Sequence, residues 1–264
     1  MREIFRGVDA FPWISVYVHG SWADETRTAF SDLDDLVVVH GAQRRSDHDI
    51  RRLERWLNVV DLRFLRKDPL QHHGHWIIHS VELTCLDESY MPLVVLEDAL
   101  VIQGEPRLEA IVDNTSTRRG LERNLTQTVR AIAAWTREYE QGTLNLYDTK
   151  HLIGAISLLP AYVIQLRGEY VDKSAAIRMF HDAASIKARE ALDWATDARA
   201  GWAAVQHGPG YWALEAGPLL VRNPNLHRRL ASRFSPRLDN STLPRLDPEA
   251  VTQFLREASA MAGV

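Results

Sequence analysis

Apolar residues recur along the first part of the chain with the period of strands. Residues 14–19 (ISVYVH) and 34–40 (DDLVVVH) are short, β-branched and bounded by polar turns, which predicts two strands. Residues 44–57 place Ile50, Leu53 and Leu57 on one face among charges, the pattern of an amphipathic helix. A strand is predicted over 58–65 (NVVDLRFL), its alternation broken by Asp61. Another is predicted over 76–86 (WIIHSVELTCL) and a short one over 99–105. Strands alternating with a helix predict an α/β sheet.

After Gly104-Glu105-Pro106 the period lengthens. Leu121, Leu125, Val129, Ile132 and Tyr139 recur at helical spacing across 116–141. Residues 147–167 form a second long, largely apolar helix, which Pro160 is expected to kink. Further helices are predicted over 172–184 and 185–200. The glycines and prolines of 207–224 predict a loop region. Asp247 as cap and Pro248 at the first helical position predict a C-terminal helix. No internal repeat or low-complexity tract is present. The expected layout is an N-terminal α/β domain over 1–110, a mixed sheet with flanking helices, and a C-terminal all-α bundle over 111–264.

Composition narrows the class without choosing a function. The 264 residues are 45% apolar and 25% charged, with a net charge of −4, values of a soluble globular protein. That charge gives no broad attraction to nucleic acid or anionic membrane. No apolar run approaches the roughly 20 residues of a membrane helix, and the N-terminus lacks a signal-peptide core. One cysteine, Cys85, fits a reducing compartment. A cytoplasmic location is expected.

Candidate chemistry concentrates in "VYVHGSWADETRTAFSDLDDLVVVH", residues 16–40. An apolar strand stops at Gly20-Ser21, and the next begins through Asp32, Asp34 and Asp35. Crowded carboxylates at the mouth of a buried strand repel one another. Strand alternation puts Asp32 and Asp34 on one side and Leu33 on the other. Such a pair suits Mg²⁺, commonly held by one or two carboxylates plus substrate phosphates. A third carboxylate on a neighbouring strand would allow two ions. Asp61 is the candidate and Glu82, in "HSVELTCL", its rival. Gly20 lets backbone approach a triphosphate closely, and Ser21 offers a hydroxyl.

"HGSWADETRTAFSDLDDLVVV" resembles the signature of the DNA polymerase β-like nucleotidyltransferase superfamily, in which Gly-Ser precedes an Asp-x-Asp entering a strand. The resemblance implies that Gly20 and Ser21 hold a triphosphate, ATP or another, and that Asp32 and Asp34 bind two Mg²⁺. Two departures stand out: Asp35 where the family has an aliphatic residue, and Asp24-Glu25 where Arg-Gly is usual. Asp35 leaves open a local bulge, or a register in which it shares metal duty. Length and layout are most similar to the streptomycin/spectinomycin adenylyltransferases. That likeness implies that Asp61, in "LNVVDLRFL", is third metal ligand and catalytic base. It also implies that Lys173, in "LIGAISLLPAYVIQLRGEYVDKSAAI", reaches the phosphates. The family's nucleotide-holding aromatic has no clear counterpart, although Trp202 is nearby.

Other conspicuous residues have structural explanations. His72, His73 and His75 read as a polar turn; Trp135, Tyr139, Tyr162 and Trp194 as core or inter-domain wall; Arg118, Arg119 and Arg123 as a solvated helix face. The basic run 227–237 reads as surface. The expected function is Mg²⁺-dependent transfer of a nucleoside monophosphate to a hydroxyl of a small acceptor, of aminoglycoside type. The alternatives are a transferase acting on tRNA or a protein, and a non-catalytic nucleotide-binding module.

Overall fold

The computed structural model describes residues 1–23, 26–41, 45–208, 210–237 and 242–263. Asp24-Glu25 and the expected helix start at Arg44 lie outside the described residues. β1 (Ile14–His19), β2 (Asp34–Val39), β3 (Trp76–His79) and β4 (Leu100–Gln103) form one mixed sheet in the order β3-β2-β1-β4. β1 is antiparallel to β2 and β4, and β2 is parallel to β3. Alternation sorts the side chains between two faces. Val16, Val18, Val37 and Val39 pack with Leu53, Leu57, Val60 and Phe64 of α1 (Asp47–Leu65), whereas Tyr17, Leu36 and Val38 pack with Ile78 and Met91 on the other face.

The strand expected over 58–65 does not form. Those residues are the last turns of α1, capped by the Ser46 side chain, which accepts the Asp49 N–H. Leu53, Leu57, Val60 and Phe64 carry the helical period straight through, and no glycine or proline interrupts it. Asp61 therefore stands on a helix rather than on a strand beside β2. The strand expected over 76–86 is also cut short: β3 ends at His79, and Glu82 opens a 3-10 turn, Glu82–Thr84.

The rest is helical, as expected. α2 (Asn114–Glu140), α3 (Leu146–Leu166), α4 (Lys173–Ala183), α5 (Ile186–Ala200) and α9 (Pro248–Ala262) begin at side-chain caps from Asp113, Asn145, Asp172, Ser185 and Asp247. α3 continues through Pro160. The region expected as a loop contains α6 (Trp202–Gln206) and α7 (Tyr211–Leu220), followed by α8 (Pro224–Phe234). Tyr211, Leu214 and Pro218 recur at helical spacing and are buried, which outweighs the local breakers. Leu125, Ile132, Ile156, Val163, Leu192, Trp194 and Phe254 build the helical core, with Trp135, Tyr139 and Tyr162 packed against it. Phe30 and Leu70, from loops of the sheet half, belong to the same cluster. Each such large side chain contributes about 1.5–3 kcal/mol on burial, so the two halves are held together by a shared apolar core. No described helix is long and apolar enough to cross a membrane.

Candidate active site

One end of the β1–β2 hairpin gathers the residues singled out by the sequence. The ladder runs unbroken from Ile14 opposite Val39 to His19 opposite Asp34. Gly20 follows immediately with φ +65°, and a Cβ added there would lie 3.6 Å from Asp34 Oδ2. The left-handed backbone favours glycine, and the turn lies in van der Waals range of the Asp34 carboxylate. Ser21 lies in the same 3-10 turn, Gly20–Trp22. The Asp34 carboxylate takes no hydrogen bond or ion pair from any described residue.

Asp32 is placed by a device the sequence does not advertise. The fully buried Gln71 accepts the Leu33 N–H at 3.0 Å and donates to the Leu33 carbonyl at 2.8 Å. Its amide thus pairs Leu33 as a strand partner would, one residue ahead of β2. Leu33 packs on the α1 face with Val37, so Asp32 and Asp34 share the opposite side.

Asp32 accepts from the Lys150 ammonium of α3, which also bonds to Asp68. His72 Nδ1 lies 3.8 Å from Asp32 Oδ2. Burial works to raise the Asp32 carboxyl, but Lys150 and the neighbouring His72 and His73 hold it well below the usual carboxylate range. Asp68 is pushed up to about 6 by burial, against the pull of Lys150. Lys150 stays charged: burial opposes this, and the two carboxylates outweigh burial. Burial lowers both His72 and His19, against the opposing pull of the facing aspartates. Lys150 had a signal in the sequence. It sits on the buried stripe of α3 with Leu146 and Ile153, at positions i, i+4 and i+7.

Asp35 resolves differently from either expected alternative. No bulge is present, and Asp35 points with Val37 to the α1 face, fully buried. His75 Nδ1 lies 2.7 Å from its Oδ2, and His75 Nε2 lies 2.8 Å from the Leu57 carbonyl. Both ring nitrogens face acceptors, the environment of an imidazolium. Burial pushes His75 down, but Asp35 and the Leu57 carbonyl outweigh it and raise the imidazole. Burial pushes the Asp35 carboxyl up as well, so Asp35 and His75 form a buried hydrogen-bonded pair that holds a proton between them, and His75 is not part of a merely polar turn.

Asp61 is also committed elsewhere. Arg228 of α8 donates to Asp61 Oδ2 from Nη1 at 2.8 Å and to Oδ1 from Nη2. The same guanidinium donates to the carbonyls of Gln71 and His73. A Cβ on Gly74 would come within 3.2 Å of Asp61 Oδ2. The roles of third metal ligand and base expected for Asp61 presupposed a strand beside β2, and that premise is not met. Gripped at both oxygens by Arg228, the Asp61 carboxylate crosslinks α1 to α8. Glu82 is not placed with the pair either. β3 sets Trp76 beside Leu36 and His79 beside Val39, so Glu82 lies past the end of β2 remote from Asp34. There it accepts the His79 N–H and borders a cavity of about 310 Å³ with Ile77, Asp87 and Tyr90.

Lys173 opens α4 and is exposed. Trp202 is fully buried, its ring edge-to-face with Phe30 at 5.2 Å, which makes it core rather than a stacking platform. Among the described residues no group of three or more His, Cys, Asp or Glu is arranged to hold a metal ion. Two hard carboxylates side by side, one already carrying an ammonium, nevertheless fit one Mg²⁺ completed by triphosphate oxygens. Among the described residues, neither Asp61 nor Glu82 stands beside the pair as the third ligand expected for a second ion.

No family model matches the chain, and no curated protein does. Among solved structures, spectinomycin adenyltransferase AAD(9) from Enterococcus faecialis, with ATP and spectinomycin, is similar. The likeness covers 88% of this chain and 95% of that one, at 15% identity and a TM-score of 0.47. By itself it assigns this chain neither an activity nor a substrate.

Proposed function

We propose that the protein is a Mg²⁺-dependent nucleotidyltransferase that moves a nucleoside monophosphate, AMP from ATP, to a hydroxyl of a small acceptor. The observation that supports it most is the approach of Gly20 to Asp34, which brings a glycine turn and a carboxylate with no partner among the described residues to one end of a hairpin. Asp32 and Asp34 would hold the metal, Gly20 and Ser21 the triphosphate, and Lys173 would reach the phosphates from the helical part. The bound ion would supply charge neutralisation at the triphosphate. Positioning and neutralisation account for most of catalysis in such transfers. The α/β part, 1–110, would carry these groups, and the helical part, 111–264, would close an inter-domain cleft over the acceptor.

An aminoglycoside-type antibiotic remains the acceptor proposed from the sequence resemblance. A second possibility, nucleotide binding without transfer, is favoured by one observation: neither Asp61 nor Glu82 joins the aspartate pair. Incubation with each α-labelled triphosphate, Mg²⁺ and a panel of antibiotics, tRNA and proteins separates these outcomes. Label on a small acceptor supports the proposal, label on tRNA or protein redirects it, and binding without turnover leaves the module.

A further inference from the structure

Lys150 has one charge and two carboxylate partners. Its side chain is fully buried, and those of Asp32 and Asp68 are only 16% and 7% exposed. One carboxylate would already neutralise the ammonium, and burying a second anion is costly. Asp68 is nonetheless built in firmly, with its Oδ1 accepting the Leu70 N–H while Oδ2 meets Lys150. The surplus carboxylate has a purpose if the other one is shared. Asp32 is that other one, on the side of the chain that also carries Asp34, which has no partner among the described residues.

We propose that Lys150 is the resting counter-ion of Asp32, displaced from it by a divalent cation, and that Asp68 keeps the displaced ammonium paired. This rests on Asp32 and Asp34 being the metal ligands. In the metal-free protein the ammonium relieves the repulsion between the aspartates. When a cation takes Asp32, Lys150 still has Asp68, so no buried charge is left uncompensated. The arrangement also makes the bare ion a weak ligand, because it must evict a resident cation. The anionic triphosphate brings the extra attraction, so metal and nucleotide load together.

The test uses Mn²⁺ as the probe, with free ion counted by its paramagnetic resonance signal, on the full chain with and without ATP. Lys150→Met should bind Mn²⁺ without nucleotide about tenfold more tightly than the wild type, because the competing cation is gone. Asp68→Asn should bind about tenfold more weakly, because the displaced ammonium loses its refuge. If Lys150→Met does not fold, Asp68→Asn carries the test, since it removes only the surplus charge. Wild-type Mn²⁺ affinity in either folded variant would overturn the proposal, provided Asp34→Asn abolishes binding. Wild-type binding by Asp34→Asn in the presence of ATP would overturn the metal assignment itself, and the counter-ion proposal with it.

Discussion

The Gln71 side chain closes a two-bond ring with the backbone of Leu33, at 3.0 and 2.8 Å, and so does the work of one further strand residue. Asp32 stands immediately before this pairing and Asp34 immediately after it. Gln71→Ala should therefore both destabilise the fold and misalign the aspartates. Each backbone group left buried and unpaired costs about 1–3 kcal/mol. Denaturant titration and Mn²⁺–ATP affinity should fall together, and an unchanged affinity in a destabilised variant would separate Gln71 from the site.

The bidentate Asp61–Arg228 pair predicts a structural phenotype. Removing one partner of a buried ion pair costs about 3–5 kcal/mol. Asp61→Asn and Arg228→Met should each lower stability by that order. Where the fold survives, nucleotide transfer should persist. A variant as stable as the wild type but inactive would return Asp61 to the chemistry.

The contrast between these two sites shows what the sequence carries. Gly20, Ser21, Asp32 and Asp34 are close in the chain, and alternation together with one turn suffices to bring Gly20 against Asp34. The long helices were legible for the same local reason, apolar spacing, and the C-terminal one by its Asp247 cap as well, whereas the Asp113 cap of α2 was not picked out. Asp61 was not, because VVDLRF satisfies a strand period as readily as the end of a helix. Its partner Arg228, moreover, is 167 residues away. Gln71 offers no local pattern at all. α7 was hidden by its own glycine and proline. Gly217 is there for close packing, since an added Cβ would come within 2.7 Å of His227.

His75 gives the stability a pH dependence of known sign. Its folded pKa is raised, so its contribution is complete below the ordinary histidine value near 6.5. That contribution is lost as pH rises through the folded value. Stability should fall with rising pH above neutrality, by at most about 1.4 kcal/mol per pH unit from one proton. Denaturation midpoints across pH 6–10 should show this slope in the wild type and lose it in His75→Gln. An identical slope in the variant would assign it to another group.

Gly20→Ala places a side chain in a left-handed backbone, at a cost of about 1–2 kcal/mol. It also sets a methyl 3.6 Å from Asp34 Oδ2. ATP affinity should drop by more than the modest loss of stability implies, as equilibrium binding beside thermal unfolding would reveal. A loss of stability alone would make Gly20 only a turn residue.

Asp34→Asn bears most directly on nucleotidyl transfer. The Asp34 carboxylate has no partner in the described fold, so this substitution should leave stability unchanged or slightly raised. The decisive measurement is Mg²⁺-dependent release of pyrophosphate from triphosphate, wild type against Asp34→Asn, with a range of acceptors. The account predicts release by the wild type and a loss of about 10²-fold or more in the variant at saturating Mg²⁺. Equal rates in the two proteins would contradict it.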